Sequence, residues 1–417
     1  MLKVEEALAI ILEHVVPLGS ERVSILEARG RVLREEIRAG GDIPPWDNSA
    51  MDGFAVRAGD IQSASRPHPV QLRVLEDLPA GRMTATAVGE GQAIRIMTGA
   101  PLPPGADVVV PVEDTEPAGE GQIRVFQSWK ARKNVRPAGE DVRDGELVLS
   151  EGVVLEPPEI GMLASLGYRE VAVTRRPEVA ILATGNEIVD LGTDPGPGQI
   201  RNSNSYSLGS QVMACGGRVR LLGVAADLKA EIRARLEEGF RSDLLLTTGG
   251  VSVGDYDYVR GMFQEVGAEV RFWGVAMRPG KPLVFGQRQG KLFWGIPGNP
   301  VATMVTFEEL VRPALRKMMG YREWFNPTLS AILEERLEKK AGRRYYIRVS
   351  LRREGERILA SSTGPQGSGI LRSMISAHGL AVLPEEAVAM EAGERVEVRL
   401  LPWAFLPDLL ASRTSSS

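Results

Sequence analysis

The segment Thr247-Thr248-Gly249-Gly250-Val251-Ser252-Val253-Gly254-Asp255 follows the apolar triplet Leu244-Leu245-Leu246 and runs straight into a helical pattern from Tyr256. A strand, a run of small residues and a helix start, in that order, suit an anion. Glycines let backbone N–H groups approach a phosphate, and the helix N-terminus adds partial positive charge. Ordinary strand-to-helix turn chemistry is the competing reading, because the segment is neither a GxGxxG fingerprint nor a GxxxxGK[ST] loop. Three more short loops end neighbouring strand patterns: Thr184-Gly185-Asn186-Glu187, Arg278-Pro279-Gly280-Lys281-Pro282 and Pro297-Gly298-Asn299-Pro300. Loops at strand ends can converge on one crevice. These would bring to it the cations Arg278 and Lys281, the carboxylate of Glu187, and the small or polar residues Pro297, Gly298 and Asn299. Asp227 and Asp257 add acids near the same edge. Asp227 serves equally well as the N-cap of a helix beginning at Leu228, and Asp255 reads as the cap of the next one. Carboxylates beside a phosphate-binding loop make sense if a divalent cation, usually Mg²⁺, bridges them to phosphate oxygens.

These loops need a frame, and the pattern from Glu178 supplies one. Strand Val179 to Ala183, helix Ser205 to Ala214, strand Arg218 to Val224, helix Leu228 to Glu238, strand Leu244 to Thr247 and helix Tyr256 to Val266 alternate. Strands near Phe272 and Val284, a strand Leu292 to Ile296 and a helix Val301 to Met319 follow. Such alternation predicts a largely parallel sheet covered on both faces, with ligands at the carboxyl ends of its strands. Upstream, Val4 to Leu12 and Ile25 to Ala39 carry helical spacing, the second ending at Gly40-Gly41 before Pro44-Pro45. Phe54 to Phe126 is β-rich, with short apolar runs at Gln71 to Leu75, Ala93 to Met97 and Asp107 to Val112. Val135 to Val154 has turns and short strands, and Ile160 to Leu166 is helical in pattern, so this part is expected to return to the first helices. Past Pro327, alternation at Tyr346 to Leu351, Leu380 to Leu383 and Val396 to Leu400 predicts a last β domain, and Ser412 to Ser417 reads as a disordered tail. The expected fold class is multidomain α/β plus β. Residues 1–45 with 136–175 form a discontinuous linker domain, 46–135 a β-rich domain, 176–325 the α/β domain, 326–403 a small β domain and 404–417 the tail.

A chain of 417 residues with 43% apolar and 25% charged residues is globular in composition and too long for one core. Its net charge of −4 offers no general attraction for nucleic acid or anionic lipid. The single cysteine, Cys215, excludes an internal disulfide and reads as core packing. The N-terminus lacks a signal-peptide pattern and no apolar run approaches the roughly 20 residues of a membrane span. The expected setting is the cytoplasm, without nucleic-acid or membrane partners. His14, His68 and His378 are scattered, which leaves neither a His-based metal site nor a Ser-His-Asp triad in view. Catalysis would rest on carboxylates, Lys, Arg and backbone amides.

Three stretches outside the α/β pattern carry small polar and charged residues: Asp47 to Ala55, Met97 to Ala100 and Lys133 to Asp141. Each alone reads as a solvated loop. Taken in order, however, eight motifs stand along the chain: NSAMDGFA at 48–55, MTGAPLPPGAD at 97–107, NVRPAGED at 134–141, ATGNEI at 183–188, GGVSVGDYD at 249–257, RPGKP at 278–282, PGNP at 297–300 and QGSG at 366–369. In this the chain resembles the molybdopterin molybdenumtransferase family, which includes the MoeA proteins and the gephyrin E domain. The resemblance implies an elongated, four-part homodimer whose third part has the molybdopterin-binding fold. It implies an enzyme that inserts molybdate into adenylylated molybdopterin with Mg²⁺ assistance, releasing AMP and forming molybdenum cofactor. Carried over by position, Asp52, Thr98, Asp141, Glu187, Asp227 and Asp257 are catalytic, and Glu187, Asp227 and Asp257 face the metal. Arg136, Gly249, Gly250, Ser252, Gly254, Arg278, Lys281, Pro297, Gly298, Asn299, Arg348 and Ser368 bind substrate, with Arg278 and Lys281 on the oxyanion and Arg348 and Ser368 completing its pocket. Molybdopterin adenylyltransferase and molybdoenzyme-maturation proteins are the implied protein partners. The chain departs from the family at Arg278, where Lys is usual, at Gly274, where some members carry Lys, at Ala302, at Ala226 beside Asp227, and at Tyr345, where an acid is common. A scaffolding role of the gephyrin type and a tungstate-specific enzyme are the rival functions.

Overall fold

Uninterrupted apolar runs such as Val179–Ala183 and Leu244–Leu246 suit strands buried on both faces, and that is where the chain places them. The computed structural model describes residues 1–250 and 256–404, with the side chains of 256–260 excepted. Val251, Ser252, Val253, Gly254, Asp255 and the tail from 405 lie outside the described residues. The chain folds as two units: Met1–Glu21, Gly30–Val32 and Val173 onward form one, Arg22–Arg29 and Leu33–Ala172 the other.

In the first unit a six-stranded sheet runs in the order Arg218–Ala225, Glu178–Thr184, Leu244–Thr248, Lys291–Ile296, Val284–Arg288, Glu269–Trp273. The first four strands are mutually parallel. The strands around Val284 and Phe272 instead join antiparallel, as an edge extension rather than further crossover units. The turn between Val284–Arg288 and Lys291–Ile296 explains this locally: Gln289 and Gly290 both have positive φ, 49° and 78°, as a tight two-residue hairpin requires. The alternation of strand side chains builds two layers. Val179 and Ile181 pack with Leu208, Val212 and Cys215 of helix Asn204–Cys215. Ala180 and Leu182 pack with Ile232 and Leu236 of helix Lys229–Gly239 and with Met262 and Phe263. Burial pushes the Cys215 thiol up to about 11, so it is an inert packing residue.

The helix expected over Val301–Met319 is present but not uniform. It runs as Pro300–Thr306, a π turn over Phe307–Val311, and Arg312–Met318. Pro313 has no N–H to donate to the carbonyl four residues back, and the π turn just before it, with Arg312 N–H on the Phe307 carbonyl, absorbs that break. Glu309, 3% exposed in this turn, pairs with Arg399 of strand Arg395–Leu400. That strand belongs to a closed barrel: Arg344–Glu354, Arg357–Ser362, Thr328–Leu333, Arg395–Leu400 and Gly379–Leu383, the last pairing back onto the first. The short strand Met277–Arg278 adds to the barrel in parallel, setting Arg278 opposite Tyr345.

The second unit contains its own six-stranded sheet, ordered Val108–Pro111, Gly53–Val56, Gln92–Ile96, Val70–Leu78, Gln122–Val125, Thr115–Pro117. Two short ribbons, Ile37–Arg38 with Leu147–Leu149 and Asn48–Ser49 with Val135–Arg136, belong to the same unit. The helix expected over Ile25–Ala39 is absent. Gly30 takes φ 72° in the middle of the stretch, Leu26 is 78% exposed, and Ile37 enters a strand instead.

At the N-terminal ends of the sheet strands, Asp243 is 6% exposed and accepts hydrogen bonds from Arg175 Nη1 at 2.6 Å and Nη2 at 2.8 Å, Lys291 Nζ at 3.0 Å and the Glu178 N–H at 3.0 Å. Burial alone would raise its pKa; these donors outweigh it and hold the carboxyl far below the usual carboxylate range. A depressed folded-state pKa contributes stability above the unfolded value of about 3.9 and loses it as pH falls through the folded one. Asp243→Asn is therefore expected to lower urea-unfolding stability by about 2 kcal/mol at pH 7, since Arg175 and Lys291 remain partly in water. Below about pH 4 the difference from the wild type should shrink.

Candidate functional site

The carboxyl ends of Glu178–Thr184, Leu244–Thr248 and Lys291–Ile296 surround a cavity of about 450 Å³. Gly249 has φ 97° and Gly250 φ 65°. A Cβ on Gly249 would lie 2.3 Å from the Thr184 carbonyl oxygen, so the turn closes only on glycine. The Gly249 N–H donates to the Ile296 carbonyl, and a Cβ on Gly298 would sit 3.6 Å from Gly249 Cα, which brings the third strand-end turn into contact. Asn204 fastens the same two turns: its Nδ2 donates to Thr248 Oγ1 at 2.9 Å and to the Gly298 carbonyl at 2.8 Å. Helix Asn204–Cys215 and the helix beginning at Pro300 both start at this cavity and aim their N-terminal dipoles there. Pro297, Gly298 and Asn299 line it as expected, and Thr303 Oγ1 holds the turn by donating to the Pro297 carbonyl at 2.6 Å.

The carboxylates sit on the neighbouring turn. Glu187 lines the cavity, with its carboxylate folded back so that a Cβ on Gly185 would lie 2.6 Å from Oε2. Asp227 exchanges hydrogen bonds with Asn186: Oδ2 accepts the Asn186 N–H at 3.3 Å, and the Asp227 N–H donates to Asn186 Oδ1 at 3.1 Å. It is not the cap of helix Lys229–Gly239, whose N-cap position is Leu228 without a side-chain bond. The helix of Asp257 is in place, but its side chain lies outside the described residues, as do Ser252 and Gly254. No group of three or more His, Cys, Asp or Glu is assembled for a metal among the described residues. Mg²⁺ at a phosphate needs only one or two protein carboxylates, because phosphate and water supply its other oxygens. Glu187 and Asp227, hard oxygen donors on either side of the 184–187 turn, fit that requirement.

A second cavity, of about 570 Å³, lies where the barrel meets the Met277–Arg278 strand. The expected single crevice is thus two cavities, and the loop 278–282 reaches both: Arg278 lines this one and Pro282 the other. Arg278 Nη1 donates to the Tyr345 hydroxyl at 3.2 Å. Arg348 lines the cavity yet is only 1% exposed. Its Nε donates to Ser373 Oγ at 3.1 Å, Nη1 to the Gln366 carbonyl at 3.2 Å, and Nη2 to the carbonyls of Pro365 and Gly367 at 3.4 and 3.1 Å. Burial lowers its pKa to about 10, so it stays charged at neutral pH. Arg348 thereby holds the Gln366-Gly367-Ser368-Gly369 loop, and the Ser368 carbonyl accepts the Val301 N–H at 3.0 Å, linking that loop to the PGNP turn. Lys281 is half-buried, and its carbonyl accepts the Val275 N–H at 3.1 Å.

Asp52, Thr98, Arg136 and Asp141 belong to the other unit. Asp52 and Thr98 are brought together: Asp52 Oδ1 accepts the Thr98 N–H at 2.7 Å and its hydroxyl at 2.9 Å, and these two bonds hold the exposed Asp52 carboxyl below its ordinary pKa. Arg136 is exposed at the end of its ribbon, opposite Asn48. Asp141 lines a shallow depression over residues 137–146. Asn204 and Asn186 were not singled out in the sequence. Asn202-Ser203-Asn204 at a helix start reads as capping, and Asn202 does cap, accepting the Ser205 N–H at 3.1 Å; nothing local signals that Asn204 reaches two other loops.

A parallel α/β sheet with glycine turns and helix starts around a strand-end cavity, joined to a closed β barrel, defines an α/β protein with added β modules and a cavity of the kind that suits an anion. Residues 2–167 match the MoeA N-terminal region (domain I and II), 180–317 the probable molybdopterin binding domain, and 330–401 the MoeA C-terminal region (domain IV). Molybdopterin molybdenumtransferase 2 of Mycobacterium tuberculosis is 38% identical over 404 residues, covering 95% of this chain and 99% of its own. Molybdopterin molybdenumtransferase of Haemophilus influenzae is 36% identical over 407 residues, covering 95% and 98%. The crystal structure of the molybdopterin biosynthesis MoeA protein from Pyrococcus horikoshii superposes with a TM-score of 0.81 at 31% identity, over 96% of this chain and all of that one. The chain belongs to the molybdopterin molybdenumtransferase family, a family of transferases.

Replacing Gly249 by Ala combines a left-handed backbone with a clash against the Thr184 carbonyl. A loss of at least about 1–2 kcal/mol is expected from the backbone conformation alone, read by chemical denaturation. Gly59→Ala, at a position with open space and no positive φ, serves as the control and should stay within about 0.5 kcal/mol of the wild type.

Proposed function

We propose that this chain transfers molybdate into adenylylated molybdopterin, releasing AMP and forming molybdenum cofactor. The observation that carries the reading is the strand-end cavity closed by Gly249, Gly250 and two helix starts, with the 278–282 loop reaching from it to the Arg278 cavity. Gly249 makes the turn, and backbone N–H groups from Gly250 onward, with Ser252, Gly254 and Gly298, hold phosphate; Pro297 and Asn299 shape the wall beside it. Glu187 and Asp227, with Asp257, hold Mg²⁺, which when bound neutralises phosphate charge. Arg278 and Lys281 hold the molybdate oxyanion as charged donors, and Arg348 sets the Ser368 loop beside them. Asp52, Thr98, Arg136 and Asp141 are the functional residues of the other unit, Asp52 as an ionised hydrogen-bond acceptor. Beyond this, the family points to a four-part homodimer, divided near residues 45, 135, 175 and 325, working in the cytoplasm on small molecules supplied by molybdopterin adenylyltransferase. Among the described residues no helix is long and apolar enough to cross a membrane.

The test is AMP release from adenylylated molybdopterin on addition of molybdate. Release should require both molybdate and Mg²⁺ and stop with a chelator; absence of release with Mg²⁺ present overturns the reading. Glu187→Gln and Asp227→Asn should each raise the Mg²⁺ needed for half-maximal release by at least about tenfold. Tungstate in competition reports which oxyanion the chain prefers.

A further inference from the structure

We infer that Tyr345 is a substrate contact, donating its hydroxyl proton to an oxygen of the oxyanion beside Arg278. The inference rests on the proposed transfer of molybdate and names a specificity-determining residue within it.

The geometry begins with backbone pairing. Strand Met277–Arg278 lies parallel to the start of Arg344–Glu354 with Arg278 opposite Tyr345, so the guanidinium and the phenol share one wall of the 570 Å³ cavity. The ring is fixed between cations: the Arg278 guanidinium carbon is 5.2 Å and Lys339 Nζ 5.1 Å from its centroid. Tyr345 is only 5% exposed. Its oxygen accepts Arg278 Nη1 at 3.2 Å and the Lys340 N–H at 3.4 Å. A phenol oxygen accepts at its lone pairs and donates one proton. Here both incoming bonds come from donors, and no acceptor for the outgoing proton is found among the described residues. A neutral O–H in that position has one bond left to make, and Tyr345 lines the cavity.

The charge around it selects the acceptor. Burial would raise the Tyr345 pKa, but Arg278, the Lys340 N–H and Arg343 prevail and lower it, making the hydroxyl a stronger donor. Arg348, which also lines the cavity from the opposite face of the same strand, has main-chain carbonyls and Ser373 as partners rather than a carboxylate. An entering anion therefore meets guanidinium charge and an O–H donor together. An acid at 345 would pair with Arg278 and turn a negative charge toward the substrate; a tyrosine holds Arg278 in place while leaving its charge uncompensated. Arg278 and Tyr345 thus face each other across paired strands.

The experiment measures AMP release against molybdate concentration in the full chain, with adenylylated molybdopterin saturating. Tyr345→Phe keeps the ring and its packing and removes only the donor. Its KM for molybdate should rise about tenfold, the usual worth of a hydrogen bond to a charged group, with the half-saturating concentration of adenylylated molybdopterin unchanged. Tyr345→Glu should raise the molybdate KM further. Arg278→Ala is the reference for loss of the oxyanion contact. An unchanged molybdate KM in Tyr345→Phe, with Arg278→Ala impaired, overturns the inference and leaves the proposed function standing. A wild type that releases no AMP removes the proposed function, and the inference with it. Matching thermal midpoints of wild type and Tyr345→Phe confirm that the comparison is between folded proteins.

Discussion

The strand-end site depends on how closely three turns approach one another. Gly249 stands so near the Thr184 carbonyl that a Cβ would lie 2.3 Å from it, and Gly298 packs on Gly249 from the other side. Parallel strands are about 4.8 Å apart, so turns leaving their carboxyl ends crowd unless one lacks a side chain. Glycine at 249 resolves the crowding by taking a left-handed conformation, with its N–H bonded to the Ile296 carbonyl. The cavity at this edge is then a by-product of packing. Asn204 makes the arrangement rigid, because one amide group bonds to Thr248 and Gly298 at once.

The second cavity is positioned by a different device. Chain leaves the edge strand Glu269–Trp273, lends two residues to the barrel at Met277–Arg278, and returns to the sheet at Val284. A shared backbone excursion places a cation more rigidly than a side-chain contact would, since register fixes both neighbours. Arg348 and Glu309 secure the barrel on the same side. Arg348 gathers the carbonyls of 365–367, whose loop reaches the PGNP turn through Ser368 and Val301, and Glu309 pairs with Arg399 out of the π turn. Both fasten the barrel to the helix that begins at the strand-end cavity.

How much of this was legible follows from what each feature depends on. The strand, glycines and helix around 244–256 announce themselves locally, because period and turn composition are properties of neighbouring residues. Ile25–Ala39 misleads for the same reason: its apolar spacing fits a helix, while Gly30 and the pairing of Ile37 with Leu149 decide otherwise. Asp227 precedes a helix and so resembles a cap, but its partner Asn186 is 41 residues distant. Tyr345 stands out in the sequence only as a departure where an acid is common, and its partner Arg278 emerges only when Met277–Arg278 pairs beside it. The motifs themselves were visible one by one; that the 278–282 loop divides between two cavities, and that Arg348 acts through main-chain carbonyls, depends on register between strands far apart in sequence.

Arg348 also shows how a chain of net charge −4 can present positive charge at this place. A guanidinium 1% exposed is expensive to bury, and interior charges are ordinarily matched by an opposite one. Here the match is made with carbonyl dipoles and a hydroxyl, which satisfy the N–H groups without cancelling the charge. Burial brings its pKa only to about 10, so the positive charge persists at neutral pH beside a cavity that Arg278, held by a neutral tyrosine, also lines. Elsewhere in the same unit comparable arginines are neutralised, Arg399 by Glu309 and Arg344 by Glu5 and Glu385. The uncompensated pair, Arg278 and Arg348, is therefore a local choice of partners rather than a consequence of composition, and a dianion entering beside Arg278 and Tyr345 would supply the missing counter-charge.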